Sequence, residues 1–227
     1  MLNRCWSRLV VSAVAGCAIA GPTQPGDMVS DASRFDTAPR DARAQDAFSS
    51  SDTSSSIQPD ASSSGCAYSG VLATWSFAGL AGSQTSTSAT SSASGMTVPS
   101  ISRAAALTAS SGSGSINASN WPTGAQLDAS KYYTLTIAPP AGCSLSVTSL
   151  AIDAKSSGTG PANAAIATSA DGFSQTSAVS TTAPSTPTVS VAGATGNLEI
   201  RIYGYGASGT SGTMRVQNTL SVTGTLQ

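Results

Sequence analysis

Apolar and polar residues alternate with a period of two along much of the chain beyond residue 66. The pattern is cleanest in Val71/Ala73/Trp75/Phe77, Tyr133/Leu135/Ile137 and Leu198/Ile200/Ile202, each set interleaved with small, hydroxyl or charged residues. Successive side chains of a strand point to opposite faces, so each set predicts a strand with one dry and one wet side. Trp75 and Phe77 fall on the dry side and are assigned to the core. The same reading predicts strands at 71–77, 104–108, 132–138, 143–147, 150–155, 164–169, 173–180, 188–191, 197–203, 212–216 and 219–226. Many short strands separated by turn signals predict an all-β domain, a single β-sandwich of the jelly-roll kind.

The best-marked stretch is 145–173. Leu145 and Val147 alternate with polar residues, and the alternation resumes one register later at Leu150 and Ile152. A three-residue step between two inward side chains requires a β-bulge or a crossing between sheets. The following segment 155–161 has no apolar residue before its proline, and its Gly158-Thr159-Gly160-Pro161 end predicts a loop. The sequence Ser169-Ala170-Asp171-Gly172-Phe173 predicts a tight hairpin, with Asp171 and Gly172 tolerating positive φ. The hydroxyl-rich segments 82–95 and 110–115 fit either flexible insertions or rim strands.

The N-terminus has a different character. Arg4 and Arg8 precede an uncharged run, Leu9 to Ala20, of about twelve residues. A membrane-spanning helix needs about 20, so this run predicts a signal peptide and export. Two processing sites compete. Ala18-Ile19-Ala20 fits ordinary signal-peptidase cleavage, whereas Val14-Ala15-Gly16-Cys17 resembles a bacterial lipobox, which implies diacylation of Cys17 and a leader ending there. The lipid reading implies a membrane partner and a cell-envelope location, the outer membrane by likeness to enteric lipoproteins; the alternative is a periplasmic or secreted protein. Residues 18–65 hold seven aspartates against three arginines, a charge of −4, among Ser, Thr, Ala and Pro. So little apolar surface predicts a disordered tether, with an average span on the order of 40 Å. The folded domain is then 66–227.

Composition narrows the chemistry. Charged residues make up 9%, net charge is −1, and histidine is absent. Without histidine there are no Ser-His-Asp triads and no imidazole bases or metal ligands. Without a basic stripe there is nothing to displace counterions from nucleic acid. The acids beyond residue 66 are Asp128, Asp153, Asp171 and Glu199. No two of them stand as an obvious pair for glycoside hydrolysis. Asp171 reads as a turn residue and Glu199 with Arg201 as an ordinary charge pair. No metal or cofactor is implied. Trp121, Tyr203 and Tyr205 lie in or beside Gly- or Pro-bearing segments. They are the candidate aromatic platform for a ligand, with Asn120, Asp128 and Arg201 as polar partners; the competing reading is that these aromatics cap the core.

Several motifs taken in order, Trp75-Ser76-Phe77, the Tyr132-Tyr133 strand, Pro140-Ala141-Gly142, the 157–161 corner, the 169–173 hairpin, Arg201-Ile202-Tyr203 and Met214-Arg215-Val216-Gln217-Asn218, resemble an uncharacterised jelly-roll module of large extracellular bacterial proteins. The Ser-x-Asp-Gly hairpin is also similar to that of galactose-binding and discoidin-like sandwiches. The resemblance implies the fold and admits adhesins, carbohydrate-binding modules and spacers alike. Cys66 and Cys143 are the cysteines left after the leader, and in an exported protein they are expected to pair. The sequence thus predicts an envelope lipoprotein presenting a non-catalytic interaction module, with a glycan or a surface protein as ligand. The alternatives are a carbohydrate-binding module and a hydrolase with an unrecognised site.

Overall fold

A computed structural model describes residues 66–227; the leader, Cys17 and the 18–65 segment lie outside the described residues. Strands in chain order are β1 (Tyr68–Ser76), β2 (Ala81–Gly82), β3 (Ser86–Ser88), β4 (Ser91–Ser92), β5 (Ser100–Arg103), β6 (Thr108–Ala109), β7 (Ser115–Ser119), β8 (Tyr132–Ile137), β9 (Leu145–Ser156), β10 (Pro161–Thr168), β11 (Ser177–Val179), β12 (Thr188–Ala194), β13 (Leu198–Ala207) and β14 (Met214–Leu226). They form two sheets. The first has the spatial order β12-β9-β14-β1-β4, with β7 on the same side of β14 as β1 and with β2 and β6 on β7; the second runs β11-β10-β13-β8-β5-β3. The chain crosses between layers at nearly every long connection. The eight main strands, β12-β9-β14-β1 over β11-β10-β13-β8, are therefore wound as a jelly roll, as the alternation predicts.

Inward positions of both sheets meet in one core. Leu72, Trp75, Phe77, Ile101, Tyr133, Leu135, Ile137, Leu150, Ile200 and Leu220 are almost completely excluded from solvent. Tyr133 is the polar exception, and its hydroxyl reaches across the sandwich to donate to the carbonyl of Met214 on β14. An unmade bond at such depth would cost about 1–3 kcal/mol, so this contact fixes how the two layers sit. Burial pushes the Tyr133 phenol far above its usual range, and the opposing charge of Arg103 offsets only part of that rise.

The step between Val147 and Leu150 is a bulge. Neighbouring Thr223 and Gly224 of β14 face Ser149 and Val147 of β9, so Thr148 is the extra residue, and 143–147 and 150–155 belong largely to one strand. A side chain at Gly224 would run into the carbonyl of Ser146, which is why glycine stands there. Strand β14 likewise unites the two predicted segments 212–216 and 219–226. Its break is at Asn218, which has φ 58°. On one side of that residue β14 pairs with β7, on the other with β1.

The 155–161 corner carries the chain from β9 in one sheet to β10 in the other. It packs directly on the β13–β14 connection: Ser157 N–H donates to Thr213 O at 2.9 Å and Gly209 N–H to Thr159 O at 3.3 Å. A Cβ on Gly212 would overlap Thr159 backbone atoms, so the two corners approach as closely as glycine allows.

Three expectations need correcting. Residues 104–107 form a turn, with strands on either side at 100–103 and 108–109, because four successive apolar residues carry no alternation. The 169–173 hairpin is wider than a two-residue turn: Ser169–Asp171 is a short 3-10 turn, positive φ falls on Gly172 and Phe173, and β11 starts only at Ser177. Val71 is exposed and off the dry side, because a bulge between Val71 and Ala73 shifts the register and Leu72 takes the inward place. Of the two readings left open for 82–95, rim strands are the one present, as β3 and β4.

Cys66 and Cys143 are joined, with Cα atoms 5.4 Å apart. The bridge lies where Tyr68 of β1 and Leu145 of β9 flank Leu226 of β14. It therefore straddles the C-terminal end of β14 and links the two strands on either side of it. Reciprocal bonds between Ser144 and Gln227 backbones close the same end.

Candidate functional site

Alternation on β13 turns Leu198, Ile200 and Ile202 inward and leaves Glu199, Arg201 and Tyr203 on the outer face of the second sheet. On β8 the same logic turns Tyr132 and Thr134 outward. The register Arg201↔Thr134 and Tyr203↔Tyr132 then assembles these groups. Arg201 Nε donates to Glu199 Oε1 at 2.7 Å and Nη2 to Oε2 at 3.3 Å, and Thr134 Oγ1 donates to Glu199 Oε1 at 3.0 Å. Its guanidinium carbon lies 3.8 Å from the centre of the Phe173 ring and 4.3 Å from that of Tyr132. Tyr132 and Tyr203 meet edge to face at 5.6 Å.

This is a cation clamped between two rings and held by a carboxylate, an arrangement that fixes a side chain usually mobile on a surface. The bond to Glu199 raises the Arg201 pKa further above its ordinary value, so it stays charged at every accessible pH. Burial raises the Glu199 pKa, but hydrogen bonds from Arg201 and Thr134 and the cationic charge outweigh it and leave the carboxyl below its usual range. Beside the pair opens a shallow cleft of about 260 Å³ lined by Leu127, Ala129, Gly172, Phe173, Arg201 and Tyr203. A guanidinium has five N–H donors, of which Glu199 takes two, so donors remain beside apolar walls. Such a cleft suits a small ligand with one apolar face and one acceptor-rich edge.

Of the residues predicted to bind a ligand, two line this cleft, Arg201 and Tyr203, and Tyr203 is itself largely covered. Trp121 belongs to the core: it is fully buried, its Nε1 donates to Ala118 O at 2.9 Å, and its ring meets Tyr133 edge to face at 5.4 Å. It offers no surface to a ligand. Asn120 holds a turn at φ 67°, its side chain donating to Ala106 O at 3.0 Å. Asp128 accepts from the Ser130 hydroxyl and backbone N–H, which hold its carboxyl below the usual range; it sits in the chain between two cleft residues without lining the cleft. Tyr205 is half-buried further along β13, opposite Asn163. Residues that sequence reasoning missed are Tyr132, Phe173 and Leu127. Tyr132 was legible as the wet neighbour of Tyr133, and Phe173 as the aromatic following the Gly172 turn.

The remaining carboxylates have local partners. Asp153 Oδ2 accepts from Gln217 Nε2 and Asn218 Nδ2 on the outer face of the first sheet, opposite the layer that carries Glu199. Asp171 accepts from Gln175 N–H and stabilises its own turn. Among the described residues no group of three or more His, Cys, Asp or Glu side chains could hold a metal ion. No family model, no curated protein and no solved structure matches the chain.

Proposed function

We propose that the chain is an exported envelope lipoprotein, tethered through diacylated Cys17, whose β-sandwich is a non-catalytic interaction module. The observation that carries the recognition part is the Arg201 cleft: a guanidinium immobilised between Phe173 and Tyr132, with spare donors beside Leu127 and Tyr203. Its rigidity favours binding, because a preorganised side chain loses little freedom when a ligand arrives. The same pairing of aromatic walls with planar donors favours a sugar ring as the alternative ligand to a protein loop. Hydrolysis is the weaker reading, since Asp153 and Glu199 face opposite sides of the sandwich.

The test is a glycan array together with capture of envelope extracts on the immobilised chain. Phe173→Ala and Arg201→Gln are expected to reduce binding at least tenfold, whereas Tyr205→Ala is expected to leave it within a factor of two. Binding indifferent to both cleft variants would end this reading. For the anchor, Cys17→Ala is expected to move the protein from the membrane fraction to the soluble fraction; retention in membranes would exclude lipidation as the tether.

A further inference from the structure

A second unusual arrangement lies on the outer face of the other sheet. Lys155 of β9 and Arg215 of β14 are direct cross-strand partners. Their side chains share one face, with Cβ atoms about 5 Å apart, and like charges so placed destabilise a sheet. Among the described residues neither forms a salt bridge; the one ion pair is Arg201 with Glu199. The nearest carboxylate in the ladder, Asp153, is two residues along β9 and is taken up by Gln217 and Asn218. On its other side Arg215 faces Asn117 of β7, which is neutral. Arg215 Nε is buried and donates to no protein acceptor. A folded chain leaves such a donor unmatched at a cost of about 1–3 kcal/mol.

The pair opens on a cleft of about 300 Å³ lined by Lys155, Ser156, Ser157, Thr213 and Arg215. Ser157 Oγ already accepts the N–H of Thr213 at 2.9 Å, which leaves its own proton to donate. A neighbouring cleft of about 460 Å³ shares Ser156 and Ser157 and continues over Gly158, Gly160, Pro161 and Gly206, without an ionisable side chain.

We infer that the Lys155–Arg215 cleft binds the oxyanion of an acidic glycan, a carboxylate or sulfate on a sugar, with the sugar chain continuing over the serine- and glycine-lined cleft beside it. An oxyanion between the two cations replaces their repulsion with two attractions, and a guanidinium matches the planar geometry of a carboxylate or sulfate edge. The uncharged hydroxyl and backbone lining suits a hydroxylated ring. This site is on the opposite side of the sandwich from the Arg201 cleft and does not depend on it.

The test uses the full chain carrying Cys17→Ser, which is free of acyl chains, titrated with polygalacturonate, dextran sulfate and neutral dextran. Calorimetry gives affinity, and backbone amide shifts at 155–157 and 213–215 give location. Saturable binding of at least one anionic polymer is expected, with none of neutral dextran; which polymer binds distinguishes carboxylate from sulfate. Lys155→Gln and Arg215→Gln each reduce affinity at least tenfold. Lys131→Gln, which removes the same charge elsewhere, and Phe173→Ala, in the other cleft, change it less than twofold. Without polymer, Lys155→Gln melts no lower than the parent, because it removes a repulsion. The inference is overturned by no binding of either anionic polymer, by equal binding of neutral dextran, by an equal loss in Lys131→Gln, or by undiminished binding in Lys155→Gln.

Discussion

Replacing Cys66 and Cys143 together by alanine removes a cross-link between positions 77 residues apart. In the chain-entropy treatment, a loop of that length is worth about 4.5 kcal/mol at 25 °C, because the cross-link denies the unfolded chain most of its loop conformations. The folded geometry gives no reason for a large discount: the Cα separation of 5.4 Å is ordinary for a bridge, and both flanking strands are already paired to β14. With a urea slope of about 2–3 kcal/mol per molar for a domain of this size, the midpoint should fall by about 2 M. The melting temperature should fall by about 10–15 °C. The assay is urea unfolding followed by tryptophan fluorescence, on the intact chain, the double-alanine variant and the intact chain with reductant. The last two are expected to coincide and to show a steeper slope, because their unfolded state is more extended. A loss below about 1 kcal/mol, or two free thiols titrated in the native folded domain, would refute the reasoning.

Tyr133→Phe removes the hydroxyl that joins the layers and is expected to cost about 1–3 kcal/mol in the same assay. Because folding holds the Tyr133 phenol neutral while the unfolded chain ionises it near pH 10, its share of stability is complete below about pH 10 and declines as pH rises beyond; Tyr133→Phe should flatten that alkaline decline, and an unchanged slope would refute the assignment. Arg103 donates to the carbonyls of Gly82, Ser83, Gln84 and Asn117, and burial lowers its pKa despite the counteracting Tyr133. Arg103→Ala should therefore lower stability by about 2–3 kcal/mol and release the β2–β3 rim to faster amide exchange. Gly212→Ala forces apart the two crossing corners and should cost at least about 1 kcal/mol, measured by thermal melting.

Strands whose inward residues are large were legible because burial and period coincide. β8, β13 and the second half of β14 carry Tyr, Leu, Ile and Val inward at every other position, and the Thr148 bulge is written in the three-residue step from Val147 to Leu150, whereas in β1 a bulge beside Val71 hands the inward place to Leu72 and breaks the period the sequence suggests. Rim strands were not legible. In Ser86–Ser88 and Ser91–Ser92 small hydroxyl residues occupy both faces, and the one buried side chain, Thr87, is itself polar, so there is no apolar period to read. Turn chemistry misled in another way at Trp121. Its neighbours Asn120 and Pro122 mark an exposed path for the backbone, yet the indole turns inward on Tyr133, and backbone exposure says nothing of where a side chain points. The site was half legible: Arg201 and Glu199 are two apart on one strand, but the rings that clamp the guanidinium come from β8 and from the β10–β11 connection. Pairing between distant segments supplies that proximity, and no local pattern encodes it.

The bridge also sets how the domain bears a pull applied through the segment that precedes it. Tension arriving at Cys66 divides between the backbone leading into β1 and the sulfur link to Cys143, which hands it to the start of β9. Without the link, β1 would be unzipped from its outer end, one ladder bond at a time. With it, the load falls on a strand held on both sides by β12 and β14, whose bonds must give way together. A pull from the N-terminal side is thus shared between two strands and not borne by β1 alone.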